Sequence, residues 1–165
     1  MGTARWGARW AATVGLMAAV VAAGGCGIIG EGVDQASKAA EISLQTPGTL
    51  GTLPRLQNYS GTDPNVQNQP PGMSAVIAGY GRNDVPILTL NAYAGAPAGV
   101  AVVRKSYEAG VNGQKVGSST CSAQTQALSI CWRAQDNLFV AVTAVDKNPQ
   151  DTAKIVDEAW KSVRA

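Results

Sequence analysis

Cys121 and Cys131 are the residues that most restrict the folds open to this chain. Residues 114–123 and 127–133 read as the two strands of a hairpin. The midpoint between the cysteines is residue 126, at the turn, so the two face each other across the ladder. Directly opposed Cβ atoms stand about 4.5–5.5 Å apart. A disulfide needs about 3.5–4.5 Å, so a close, non-hydrogen-bonded pair can form one with little adjustment. Leu128, Ile130 and Trp132 then point to the opposite face, into the core. The alternative is a redox-active or metal-binding pair. Its spacing is wrong for Cys-x-x-Cys, and two thiols without histidine make a poor zinc site.

The elements around this hairpin follow from periodicity. Residues 74–80 and 86–93 read as strands joined by a turn at Arg82-Asn83-Asp84. Pro97 suits a first helical position. Val100, Val103 and Tyr107 fall on one face of a helix over 98–109, which Gly110 ends. The Val-Ala-Val-Val run keeps a strand open there. Residues 138–145 are apolar on both faces, as a central strand should be. Asn148-Pro149 opens a last helix with Asp151 in its first turn and a stripe of Ile155, Val156, Ala159, Trp160 and Val163. The expected architecture is α+β: a single domain, an antiparallel sheet of about five strands packed against the C-terminal helix, with a disulfide-linked hairpin. The chain of 165 residues suits one domain.

The N-terminal third reads differently. Arg5 and Arg9 precede an uncharged Ala/Val/Gly-rich run over 11–25, and Cys26 follows. That order matches an export signal with small residues before the cleavage point. The expected division is a lipoprotein-type signal peptide over 1–25, a lipid-attached tether and short helix over 26–46, a Pro/Gly-rich arm and loop over 47–72, and the α+β domain over 73–165. Two alternatives stand beside it. The uncharged stretch 11–30 has the length of a retained membrane helix, although Gly24, Gly25, Gly27 and Gly30 weaken its second half. A plain cleaved signal would release the domain. All three place residues 31–165 on the outer side of the membrane.

Within 47–72, two prolines, two glycines and three leucines over 46–56 preclude a regular helix and imply an extended arm pressed onto the domain. Residues 58–72 read as loop, since Ser60-Gly61, Asp63-Pro64 and Pro70-Pro71-Gly72 all form turns.

Charge and composition exclude several functions. Setting Arg5 and Arg9 aside leaves 11 basic and 11 acidic side chains. A balanced surface carries no footprint for nucleic acid and little attraction for anionic headgroups. Histidine is absent, which removes Ser-His-Asp and Cys-His catalysis and histidine metal sites. No cofactor or metal is implied. The stretch 110–119 is Gly-rich but lacks G-x-x-x-x-G-K-[ST], so it is loop leading into a strand. Asn58-Tyr59-Ser60 matches a glycosylation acceptor by chance. Asp63, Asp84, Asp136, Asp146 and Asp151 read as solvated turn or cap residues. Trp132 reads as core. Tyr80, Tyr93, Tyr107 and Trp132 are the candidates to line a ligand groove, and Tyr59 is a further tyrosine that could join them.

Ala23-Gly24-Gly25-Cys26 resembles the lipobox of bacterial lipoproteins, with Ala23 where that family usually has leucine. The resemblance implies a diacylglyceryl group on Cys26 and cleavage before it. More broadly, the arm Pro47-Gly-Thr-Leu-Gly-Thr-Leu-Pro54 and the late element Cys121…Cys131-Trp132 make the chain similar to small secreted or membrane-anchored actinobacterial proteins. That family implies a location and a fold rather than an activity. The expected role is a non-catalytic binding or accessory lipoprotein on the outer face of the cell membrane. Its expected partner is another envelope protein or a small apolar ligand. The competing roles are a single-pass assembly subunit and a carboxylate-dependent envelope hydrolase or transferase.

Overall fold

The alternating apolar segments between residues 74 and 145 assemble into one six-stranded antiparallel sheet. The structure is a computed structural model that describes residues 42–63 and 69–165. The signal segment, Cys26, the 11–30 stretch and all but the end of the tether lie outside these residues. A two-stranded hairpin comes first, β1 (Thr49–Leu50) and β2 (Leu53–Pro54). Then follow β3 (Ser74–Arg82), β4 (Val85–Ala94), α1 (Pro97–Glu108), β5 (Gln114–Val116), β6 (Ser119–Thr125), β7 (Leu128–Gln135), β8 (Leu138–Val145) and α2 (Pro149–Ser162). The large sheet runs β3-β4-β8-β7-β6-β5.

The strand count exceeds the expected five because residues 114–123 are not one strand. Gly117 takes a left-handed φ of 60° and turns the chain between β5 and β6. Asn83 and Asp84 do the same between β3 and β4, with φ of 51° and 59°. Two successive left-handed residues match the right-handed twist of a tight hairpin. The apolar strand β8 sits between β4 and β7, the central place its composition suits.

Both faces of the sheet are buried, and this departs from the expectation of one covered face. Strand parity divides the core. Leu88, Leu90, Ala92, Leu138, Val140, Val142 and the two cysteines face α2. Tyr93, Trp132, Phe139 and Ala141 face α1, which contributes Val100, Val103 and Tyr107. The Cys121–Cys131 pair is bonded and directly opposed, with Cα atoms 4.0 Å apart. It is itself core: both residues are at most 2% exposed, under the start of α2. Their sulfurs lie 3.4–3.5 Å from the Pro149 carbonyl oxygen, a packing contact, since a disulfide sulfur carries no proton to donate.

Helix α2 begins as its sequence implies. Asn148 accepts a hydrogen bond from the Asp151 N–H at 2.8 Å, and Pro149 takes the first turn. A hydrogen bond from Lys154 holds the Asp151 carboxyl below its usual range, helped by the lysine charge and by Asn148. Thr152 is fully buried in the helix stripe, where its hydroxyl pairs with Ser129 and donates to the Asn148 carbonyl.

The arm is pressed onto the domain as expected, but as a hairpin. Gly51 and Thr52 form its left-handed turn, and Leu50 and Leu53 enter the α2-side core. Glu158 of α2 accepts from the Gly51 N–H at 3.2 Å, and the Leu56 N–H donates to Gly79 O at 2.8 Å. Of the tether and short helix expected over 26–46, residues 26–41 lie outside the described part. Leu44 is extended instead, bridging Arg164, while Gln45 N–H donates to Val163 O at 2.9 Å. The two ends of the described chain thus meet.

Candidate functional site

The structure does not bring the four proposed groove residues together. Tyr80 faces α2 and is fully buried, with its hydroxyl donating to Pro47 O at 2.9 Å. Burial pushes its phenol up to about 12; Arg55 opposes that rise and Glu158 adds to it. Tyr93, Tyr107 and Trp132 lie on the other face, also buried. Tyr107 packs its ring 4.7 Å from Phe139 and 6.2 Å from Trp132. Tyr93 and Tyr107 are wall and floor of the core under α1 rather than the lining of an open groove, and Trp132, 2% exposed, reaches an opening only at the edge of that core.

What they organise is a buried polar cluster. Asp63 is only 6% exposed, so it is not the solvated turn residue its sequence context implied. Its Oδ2 accepts from the Tyr93 hydroxyl at 2.9 Å and from the Tyr107 hydroxyl. Asn91 Nδ2 donates to the Tyr107 oxygen at 2.9 Å, while Asn91 Oδ1 is buried without a partner among the described residues. Burial, then the Asp63 charge and hydrogen bond, raise both tyrosines well above their ordinary range. They are held as neutral donors to a carboxylate. A buried tyrosine hydroxyl needs an acceptor. Two tyrosines on buried strand and helix positions were the one sequence signal that some acceptor must come to them.

The cluster fastens the loop over 57–63 to the sheet. Tyr59 reinforces it, with its ring on Gly79 and its hydroxyl 3.2 Å from Thr89 Oγ1. A Cβ at Gly79 would overlap that ring, so any side chain there must push Tyr59 from its seat. The chemistry available here is positional.

The polar concavity lies farther along the same face. It measures about 270 Å³, between the C-terminal half of α1 and the β5–β6 edge. Lys115, Thr120 and Trp132 stand in register on β5, β6 and β7 and form its base. Arg104 and Glu108 of α1 overhang it, paired at 3.3 Å. Arg133 closes one side, 3.4 Å from Asp157 and with its guanidinium 4.4 Å from the centre of the Trp160 ring. Lys115 has no ion-pair partner among the described residues. Two other hollows are lined by Leu56, Tyr59 and Asp84 and by Ile42, Leu44 and Val76, about 260 and 450 Å³. Neither gathers charge of one sign around an opening.

Among the described residues there is no group of three or more acidic or cysteine side chains able to hold a metal ion. No helix among them is long and apolar enough to cross a membrane. Compared with protein-family models, curated proteins and solved structures, the chain finds no match.

Proposed function

We propose that this is an exported envelope lipoprotein, held at the outer face of the membrane by acylation of Cys26, with a non-catalytic binding or accessory role. The observation that carries the reading is the buried Cys121–Cys131 disulfide. Such bonds persist in oxidising compartments and are rare in a reducing cytosol. With those two cysteines joined, Cys26 remains as the third cysteine of the chain, directly after the small residues of the signal segment. The balanced charge of the chain beyond Arg5 and Arg9 supports attachment through the N-terminus rather than through a basic surface. The concavity under α1 supports binding, because its charged rim stands on a sheet and a helix that hold it rigid.

Mass analysis of the mature chain, with palmitate labelling, tests the anchor. A diacylated Cys26 at the new N-terminus is the expected result, and Cys26→Ala should abolish labelling. Retention of residues 1–25 with an unmodified Cys26 would replace the lipid by a membrane helix over 11–30. That is the second reading, favoured by the uncharged length of the stretch.

A further inference from the structure

We infer that the concavity under α1 binds a compact oxyanion, a carboxylate or phosphate on a ligand of single-ring size. The inference rests on the binding role proposed above and names the ligand class of that site.

Two cations, Arg104 and Lys115, stand at the opening on the α1 side with the carboxylate Glu108, and Arg133 lines its margin with its guanidinium turned to Asp157 and Trp160 of α2. Arg104 meets Glu108 through Nε alone, while Arg133 Nη1 serves both Asp157 and the Ser118 hydroxyl at 3.4 Å and its guanidinium lies on Trp160. A guanidinium carries five N–H donors, so most of those on Arg104 remain available. Lys115 adds three more donors and is exposed. The Thr120 hydroxyl, next to it in the cross-strand row, makes no hydrogen bond among the described residues, whereas the Ser118 hydroxyl is already committed to Asp157 at 2.6 Å. The site is therefore rich in donors and short of acceptors. That is the complement of a carboxylate or phosphate and a mismatch for a cation or a purely apolar ligand.

Size sets the second limit. Pockets for drug-sized ligands span about 300–1,000 Å³, and this one, at about 270 Å³, falls just below. It has room for one ring and its charged group. The edge of the Trp132 side chain, 2% exposed, gives that ring a small apolar contact. A polyanion would need a continuing basic track, and of the cations lining the concavity Arg104 and Arg133 are each already paired with a carboxylate.

The test titrates inorganic phosphate and glucuronate, with glucose as a neutral control, into the isotope-labelled full chain in detergent micelles. Saturable shifts at Lys115, Thr120 and the Trp132 indole are expected for at least one anion and none for glucose. The anion that binds tighter assigns the group as phosphoryl or carboxylate. Lys115→Glu should weaken binding about ten-fold or more, as loss of one charge-assisted hydrogen bond implies. Lys161→Glu, an exposed α2 lysine outside the concavity, should leave it within about two-fold, since a screened distant charge contributes little. Thr120→Val serves as a second, uncharged probe, and unchanged β8 amide shifts certify the fold of each variant. Absence of saturation with both anions overturns the inference, as does equal weakening by the two lysine variants. Failure of the Cys26 anchor would leave the titration unchanged, so the two proposals fail separately.

Discussion

Replacing Asp63 by alanine should destabilise the domain by about 2–4 kcal/mol. The carboxylate accepts from two tyrosine hydroxyls, each on a residue only 3% exposed. A hydrogen bond to a charged group contributes about 1.5–3 kcal/mol, and a buried hydroxyl left without an acceptor costs about 1–3 kcal/mol. Two such losses would exceed 4 kcal/mol were they not offset. The offset is the desolvation of the carboxylate itself, which the alanine variant no longer bears. For a domain of this size about 4 °C of Tm accompanies each kcal/mol, so Tm should fall by about 8–16 °C. Asp63→Asn keeps an acceptor and should lose only about 1–2 kcal/mol. Asp157→Ala breaks a half-exposed ion pair and should cost less than about 1 kcal/mol. Urea unfolding followed by tryptophan fluorescence gives all three values. Hydrogen exchange adds a local readout, because the Leu56 N–H that bonds Gly79 O should lose protection as the loop lifts. The reasoning fails if Asp63→Ala lies within about 0.5 kcal/mol of the parent, or if Asn and Ala are equally damaging.

Cys121→Ala/Cys131→Ala should cost at least about 2–3 kcal/mol, the value for a short closed loop; reduced parent protein should unfold at nearly the same urea midpoint, and a parent unaffected by reductant would contradict this. Tyr80 should ionise near 12 rather than near the ordinary value of 10. Between those values the unfolded chain has released a proton that the folded chain keeps, so stability falls as pH rises; absorbance at the tyrosinate band should show this late step in the parent and lose it in Tyr80→Phe. Gly81→Ala should destabilise by about 3 kcal/mol and Gly79→Ala by about 1–2 kcal/mol. At Gly81 the new Cβ meets the Val85 carbonyl, which the hairpin turn fixes, whereas at Gly79 it meets a tyrosine ring that can swing aside. Equal losses in thermal melts would refute that ranking.

The elements legible in the sequence were those whose signals are local. The two helices, the apolar β8, the β3–β4 hairpin and the disulfide register follow from periodicity, turn residues and the midpoint of two cysteines. Gly117 was visible as a residue but not as a turn, because a glycine inside a strand pattern has the same sequence appearance whether the chain folds back there or runs straight. The site was less legible. Asp63 sits in a Pro- and Gly-rich loop whose other polar residues are mostly exposed, and nothing within a few positions marks it for burial. Its partners are 30 and 44 residues away, on β4 and α1.

By itself, then, the sequence determined the class of fold, the pairing of Cys121 with Cys131 and the two-sided apolar character of the central strand. Side-chain alternation, cap chemistry and loop closure act over a few residues and leave their pattern in the chain. Only the tertiary structure decided that α1 and α2 take opposite faces of the sheet. It also turned the three proposed groove tyrosines into core and drew Asp63 inward to two of them. Lys115, Thr120, Trp132 and Arg104 became one concavity only once β5, β6, β7 and α1 were in register. Those outcomes depend on which distant surfaces exclude water together, and that is a property of the packed chain rather than of any segment of it.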